Sequence, residues 1–193
     1  MQRFTVLAAA SLLTLSGAAG ATPVTATANE APGIEEGLYV GAGLIGASLN
    51  GSTAGALGGG LAQLYYETPH TALGGDLRIA IGGDETSGSS FQYVAVSLGG
   101  RWFTFAGDLT PFFGGGLVYS DLQFDDLNAG TYFRGGAAGL GGYAEAGLAA
   151  FRTDLSRLTV SLRADMPFFD VADGQTGETR YLMPVSLAAT FAF

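Results

Sequence analysis

The residues that could carry out chemistry in this chain are few, and most of them are carboxylates and arginines. Among its 193 residues are 17 Asp and Glu, 8 basic residues that are all Arg, one His and no Cys. A chain without Cys has no disulfide, thiolate metal site or cysteine nucleophile. Acyl transfer or lipid hydrolysis would need a histidine beside a serine, and the single histidine, His70, lies in the turn-like stretch ETPHT. We therefore predict that the chain is not an enzyme.

Sequence motifs for cofactors and nucleic acid are also missing. The chain has no G-x-S-x-G motif and no cluster with metal-ligand spacing. The glycine-rich GALGGG lies within a strand pattern and no helix follows it, so it does not predict a phosphate site. The formal net charge of −9, without a basic cluster, argues against nucleic acid. We expect no cofactor and no metal.

A second group of ionisable residues lies inside stretches that alternate apolar and small residues. It contains three acids and three arginines, so the charges can neutralise one another. A lone charge in a narrow, dry interior would be costly, whereas paired charges are tolerated. The members of this group are Asp76, Arg78, Arg101, Glu145, Arg163 and Asp165.

A strict period of two in hydrophobicity predicts the elements that position these charges, because successive side chains of a strand face opposite sides. In the third predicted strand Leu73, Leu77 and Ile79 face one side, and Asp76 and Arg78 face the other. The same pattern predicts eight strands, at about 37–48, 56–66, 71–82, 91–104, 110–120, 139–151, 158–166 and 180–193.

The N-terminal residues look like a targeting segment rather than part of the fold. A basic start at Arg3, an apolar run and the sequence Ala19-Gly20-Ala21 predict a cleaved signal peptide over residues 1–21. Residues 22–36 are small, polar and acidic, and we expect a flexible leader there. The uncharged stretch 37–66 has turn chemistry and many glycines at its centre, so we interpret it as two strands rather than a membrane helix.

Three features predict that the strands close into a transmembrane cylinder over residues 37–193. The strand number is even, and the connections alternate between tight and longer. Aromatic residues concentrate near both strand ends, where we expect them to form two girdles at the headgroup layers of a bilayer. The larger predicted loops include residues 121–138 and 167–179. In hydrocarbon every backbone polar group needs an internal partner, so strands must close without edges. We predict an all-β fold, an eight-stranded antiparallel transmembrane up-and-down β-barrel with its small and charged residues inside.

The predicted interior suggests two functional hypotheses. An eight-stranded barrel has an interior just wide enough to be filled by side chains. A filled lumen gives a structural or surface-interaction protein. The alternative is a narrow gated channel for small solutes or ions, opened by exchange of ion pairs.

Several stretches resemble the small outer-membrane β-barrel family typified by the OmpA transmembrane domain and OmpX-like proteins. They are the signal peptide, GLYVGAGLIGAS, GGRWFTFAGDLTPFFGGGLVY and the terminal SLAATFAF. The resemblance implies a cell outer-membrane location, contact with outer-membrane lipids and lipopolysaccharide, and a monomer. It also implies a C-terminal signal for the outer-membrane insertion machinery, carried by Ser186, Ala188, Phe191 and Phe193. Some small barrels of this kind modify lipids, so a lipid-modifying enzyme is a further alternative.

Acidic residues concentrate in the predicted outer loops. The spacing in DLQFDDLNAG and DVADGQTGE does not match a calcium loop, and solvated surface is the simplest interpretation. A divalent-cation bridge to lipopolysaccharide phosphates and an adhesin-like role remain open. These acids are Asp84, Glu85, Asp121, Asp125, Asp126, Asp170, Asp173 and Glu178.

Overall fold

The computed structural model describes residues 33–34, 36–49, 57–84, 89–126, 133–174 and 176–193. Within these ranges no helix is both long and apolar enough to cross a membrane. The predicted signal peptide and most of the predicted leader lie outside the described residues and stay predictions. The described strands are β1 (Gly37–Leu49), β2 (Leu57–Glu67), β3 (Thr71–Asp84), β4 (Ser89–Phe103), β5 (Thr110–Asp126), β6 (Phe133–Ala150), β7 (Arg157–Pro167), β8 (Val171–Asp173), β9 (Thr179–Arg180) and β10 (Pro184–Ala192).

The strands form one closed antiparallel ring. β1 to β7 pair in sequence order, β7 pairs with β10, and β10 returns to β1, with Leu44 opposite Ala189. The short β8 pairs with β6 beyond the end of β7, and β9 pairs with β8. β7 and β8 therefore share one position of the ring, and β9 and β10 share the next. The result confirms the predicted eight-stranded antiparallel barrel.

Two predicted boundaries are wrong at one end of the barrel. The predicted loop 121–138 is largely strand, because β5 continues to Asp126 and β6 begins at Phe133. The period of two persists there with a polar outer face, and the inward rings of Phe124 and Phe133 pack with centroids 6.0 Å apart. The last strand does not run unbroken from Arg180, since Tyr181–Met183 separate β9 from β10. Acidic residues on the outer face concealed the continuing strands.

The two ends of the barrel differ, and we name them by their connections. The turn end carries the connections Thr68–His70, Thr104–Leu109 and Phe151–Ser156. The first residue of β1, Gly37, and the last residue of the chain, Phe193, also lie at the turn end, because Gly37 pairs with Glu67 and Phe193 with Val40. The opposite end is called the loop end.

The distribution of side chains is the reverse of that in a soluble protein. Leu44 is 77% exposed and Leu98 is 70% exposed, whereas Arg78 and Arg163 are 0% exposed. Ile79 is exposed on the apolar side of β3 as predicted, and Val96 and Val160 are exposed as well. An apolar outer belt around a ring whose backbone polar groups pair internally suits strands surrounded by hydrocarbon.

The aromatic residues cluster near both strand ends as predicted, but only part of them faces outward. At the turn end Tyr66, Trp102 and Phe113 are exposed, as are Phe151, Phe191 and Phe193. The predicted girdle is wrong for residues at alternate positions, since each strand sends every second side chain inside. The rings buried in the lumen include Tyr39, Tyr65, Phe103, Phe112, Phe91, Tyr93 and Phe133.

Candidate functional site: the filled lumen

The six charged residues singled out by the sequence meet in the middle of the lumen. Strands β3, β4, β6 and β7 each present at least one of them on the inward face. We call this group the central cluster, with members Asp76, Arg78, Arg101, Glu145, Arg163 and Asp165.

The central cluster is one continuous chain of alternating charges. Arg163 lies between Asp165 (Nε to Oδ1, 2.7 Å) and Asp76 (Nη1 to Oδ2, 2.9 Å). Arg78 links Asp76 (3.3 Å) to Glu145 (3.5 Å), and Glu145 pairs with Arg101 at 3.1 Å. Each interior member of the chain is therefore shared by two partners of opposite charge. The formal charges sum to zero, which suits a group removed from water.

Neutral side chains satisfy much of the remaining hydrogen-bonding capacity of the cluster. Ser97 donates to Asp76 Oδ1 at 2.8 Å, and Arg78 Nη1 donates to Ser186 Oγ at 3.0 Å. The Tyr93 hydroxyl donates to Asp165, and the guanidinium of Arg163 lies 3.8 Å from the centroid of the Tyr143 ring. Because removing one member of a buried pair leaves a charge without compensation, this network fixes the relative positions of the strands that contribute to it.

A second group of buried charges lies at the turn end, and the sequence analysis missed it. Glu67 pairs with Arg152 (Oε1 to Nε, 2.8 Å) and with Arg157 (Oε1 to Nε, 3.4 Å), and all three side chains are at most 1% exposed. We call these three residues the turn-end cluster. The alternation of side chains along a strand could have revealed part of this cluster, because Glu67 lies on the inward face of β2 together with Gln63. Arg157 likewise precedes Arg163 by an even number of residues on β7.

Arg152 joins the three turns to one another. It lies in the third turn, yet its guanidinium donates to the carbonyls of Thr68 and Pro69 in the first turn at 3.1 Å each. It also donates to the carbonyl of Phe105 in the second turn at 3.4 Å. Asp108 of the second turn accepts hydrogen bonds from the backbone (3.2 Å) and hydroxyl (2.9 Å) of Thr153. These two bonds lower the pKa of Asp108.

Apolar side chains occupy the lumen on both sides of the central cluster. Toward the turn end, Tyr39 stacks on Tyr65 with centroids 5.7 Å apart, and Phe103 meets Phe112 edge-on at 5.9 Å. We call these four rings the aromatic layer. Toward the loop end, buried apolar residues form a separate cluster. Its larger members are Leu49, Phe91, Leu122, Phe124, Phe133, Val171 and Leu182.

Little free space lies beside the central cluster. A cavity of about 20 Å³ lies between Gln63, Tyr65, Asp76, Arg101 and Tyr143. That volume holds roughly one water molecule. The arrangement is therefore a packed interior at this level of the barrel.

Two residues of the expected assembly signal face the lumen and two face outward. Ser186 and Ala188 are buried in the lumen, where Ser186 accepts the hydrogen bond from Arg78. Phe191 and Phe193 face outward with ring centroids 6.5 Å apart. Ser186 therefore has a structural role in this barrel whether or not it is part of a signal.

The acidic residues of the loop end do not form one site. Asp121 is exposed on the outer face of β5, and Asp125 pairs with Arg134 at 3.6 Å. Asp173 is buried and accepts bonds from the backbone of Arg134 and Thr176. Glu85 and the side chains of Asp84 and Asp126 lie outside the described part of the chain. Within that part, no group of three or more His, Cys, Asp or Glu is arranged to hold a metal ion.

Comparison with known proteins gives structural relatives but no sequence relatives. No protein-family model and no curated protein matches the sequence. Neisserial surface protein A aligns with a TM-score of 0.57 at 14% identity, over 80% of this chain and 95% of that one. Ail, the attachment invasion locus protein of Yersinia pestis, aligns with a TM-score of 0.54 at 11% identity, over 82% of this chain and 98% of that one. OprG from Pseudomonas aeruginosa aligns with a TM-score of 0.52 at 10% identity, over 85% of this chain and 99% of that one.

These likenesses define the class to which the fold belongs. The chain has the fold of the small eight-stranded outer-membrane β-barrels, and it spans nearly the whole length of each of these structural relatives. Their identities are low, so the likeness concerns the fold, and function must be argued from the lumen and the surface.

Proposed function

We propose that this protein is an outer-membrane barrel that serves as a closed scaffold, with a structural or surface-interaction role and no catalysis. The observation that carries the proposal is the packed lumen, in which a continuous ion chain lies between two apolar layers. A solid interior supports a scaffold rather than an open pore, as is usual for narrow barrels. The exposed apolar belt supports placement in a membrane, and the predicted signal peptide supports export.

The part of the barrel that would meet other molecules is the extension of β4, β5 and β6 at the loop end. β5 has 17 residues, whereas about ten suffice for a tilted strand to cross a bilayer. Tyr119 is exposed on the outer face of β5, at the edge of the apolar belt nearest the loop end. The outward residues beyond it on β5 are Asp121, Gln123 and Asp125. These polar positions support a surface that stands in water above the membrane.

Structural relatives with surface roles offer a limited analogy. Two of them are Neisserial surface protein A and Ail, the attachment invasion locus protein of Yersinia pestis. Ail has also been solved with sucrose octasulfate, a heparin analogue. Sulfated sugars are anionic, while the loop end of this chain carries mainly acids, so an anionic ligand is not part of our proposal.

The proposal includes an orientation and a route of assembly. Short turns of outer-membrane barrels face the periplasm, so the turn end would face inward and the loop end outward, in contact with lipopolysaccharide. The insertion machinery would recognise Ser186, Ala188, Phe191 and Phe193, and the barrel would be a monomer. The exposure of Phe191 and Phe193 at the turn end supports this role.

The alternative function, a narrow gated channel, is favoured by one specific feature. Glu145 lies within pairing distance of both Arg101 and Arg78, and Asp76 within that of both Arg78 and Arg163. Shared carboxylates provide alternative pairings that a gate could use. An enzymatic role has less support, because His70 is exposed in the first turn.

Two measurements test the proposal. Cell fractionation combined with a gel of boiled and unboiled samples should place the protein in the outer membrane, in a form that changes mobility only on boiling. Purified protein in planar bilayers should show no steady conductance. A soluble periplasmic fraction without heat-dependent mobility would contradict the scaffold, and steady, ion-dependent openings would replace it with the channel.

A further inference from the structure

We propose that, between the loop-end apolar cluster and the turn end, the lumen is closed twice in series, by the central cluster and independently by the turn-end cluster. The inference rests on the filled lumen proposed above, and adds that opening one closure leaves the barrel shut.

The two clusters are separate ionic units. The central cluster pairs through Asp76 and Glu145, while the turn-end cluster pairs through Glu67. Among the described residues, no ion pair joins a member of one cluster to a member of the other. A rearrangement of charges in one cluster therefore has no direct ionic route to the other.

The aromatic layer lies between the two clusters and contacts arginines on both sides. From the central side, the guanidinium of Arg101 lies 5.5 Å from the ring centroid of Tyr65 and 5.1 Å from that of Phe112. From the turn side, Arg152 lies 3.7 Å from Phe103 and Arg157 lies 4.3 Å from Tyr39. Cation–π contacts of this kind persist in a desolvated site. If Arg101 moves, Phe103 and Tyr39 keep their contacts with the turn-end arginines.

The arginines of the turn-end cluster donate hydrogen bonds to the backbone of the three turns. Arg152 donates to carbonyls of the first and second turns. Arg157 donates to the carbonyls of Phe151, Asp154 and Ser156, and to the Tyr39 hydroxyl. Exchange of Glu145 between Arg101 and Arg78 would leave all of these bonds in place.

The test interrupts each closure in the full chain by removing one oppositely charged pair from its cluster. The central variant carries Arg101→Ser with Glu145→Ser, and the turn-end variant carries Glu67→Ser with Arg152→Ser. A third variant combines all four substitutions. In each variant the number of acids replaced equals the number of arginines replaced, so the net charge of the lumen is unchanged. Boiled and unboiled gel samples establish that each barrel has folded before its conductance in planar bilayers is measured.

All of these conductance measurements use a background in which Phe124→Ala with Phe133→Ala opens the loop-end apolar cluster. In that background the unsubstituted clusters and both paired variants should be silent, and the combined variant should conduct. Conductance of either paired variant at the level of the combined variant would overturn the series arrangement. A silent combined variant that has folded would also overturn it, because the two clusters would then not be what closes the lumen. Steady openings of the wild type would instead overturn the proposed scaffold, so the two failures are distinguishable.

A thiol probe gives a second readout that does not depend on current. The sequence has no Cys, and the inward Thr159 lies on β7 between Arg157 and Arg163. Thr159→Cys should resist a charged methanethiosulfonate reagent in the wild-type and central-variant backgrounds, and react in the turn-end background. If the turn-end variant does not fold, Arg152→Lys replaces it, since an ammonium cannot reproduce the multidentate contacts of the guanidinium. Equal labelling with and without the turn-end change would overturn the proposal.

Discussion

Glu67 and Arg152 form the shortest ion pair of the turn-end cluster, at 2.8 Å, and both side chains are buried. Glu67 ends β2 and Arg152 lies in the turn before β7. The pair therefore joins parts of the chain that are distant in sequence. Its position makes it a link between the stability of the barrel and the closure of the turn end.

Removing the charge of Glu67 should destabilise the barrel strongly. Glu67→Gln leaves the buried Arg152 and Arg157 without their carboxylate, which we expect to lower the free energy of unfolding by about 3–5 kcal/mol. The matched control is Asp125→Asn, which breaks the exposed Arg134–Asp125 pair and should cost less than about 1 kcal/mol. Urea unfolding of the refolded barrel, followed on unboiled gels, measures both. Equal costs would contradict the buried cluster.

Substitution by alanine should be severe at one glycine of β2 and mild at its neighbour. A Cβ on the outward Gly60 would meet nothing within 4 Å, whereas one on Gly59 would meet the carbonyl of Ile79 and the Cα of Ala80. Because no flexible side chain can yield at Gly59, Gly59→Ala should prevent refolding. Gly60→Ala should change the free energy of unfolding by less than about 1 kcal/mol. Gel-shift refolding yields compare them, and similar yields would contradict the assigned facing of β2.

A charge placed on the apolar belt should be costly, and the same charge above it should not. Leu98 faces outward and is 70% exposed. Leu98→Arg should destabilise the barrel in lipid vesicles by about 2–4 kcal/mol, the cost near a bilayer midplane. The control Gln123→Arg lies on the exposed outer face of β5, toward the loop end, and should have little effect. If both variants behaved alike in vesicles, Leu98 would not face hydrocarbon.

The contact between Asp108 and Thr153 should add a small acid-sensitive contribution to stability. The hydrogen bonds from Thr153 lower the pKa of Asp108 in the folded state. A carboxyl with a lowered folded-state pKa stabilises the fold above its unfolded pKa, and loses that contribution as the pH falls through the folded-state pKa. Asp108→Asn should therefore flatten the dependence of stability on pH in the acidic range. An unchanged pH profile for this variant, with Thr153→Val as the matched partner, would contradict the contact.

Much of the fold could be predicted from sequence, because the side chains of a transmembrane strand alternate between two surroundings, the hydrocarbon outside and the lumen inside. On β7 the outward Leu158, Val160 and Leu162 and the inward Arg163 and Asp165 all follow this rule. The extension of β5 and β6 was missed because both faces change character above the membrane. There the outer face becomes polar and the inner face gains Leu122 and Phe124, which resembles a loop in sequence.

The site was predictable only where charges stand within strands. The central cluster could be found because its members interrupt apolar alternation. Glu67 stands at a strand end and Arg152 in a turn, where a charge is ordinarily solvated, and sequence does not reveal that the turns fold together over them. Whether an aromatic ring faces the lumen or the outside depends on whether its position in the strand is odd or even. Closeness to a strand end does not decide this. Phe112 is buried and its neighbour Phe113 is exposed.

The most direct test of the account uses the single tryptophan of the chain. Trp102 faces outward, is 57% exposed and stacks on Phe113 with the ring centroids 6.4 Å apart. If the outer belt lies in hydrocarbon, lipids brominated on their acyl chains should quench its fluorescence in vesicles, and its emission should be blue-shifted. Emission that brominated lipids leave unchanged and that aqueous iodide quenches would contradict a membrane-embedded barrel.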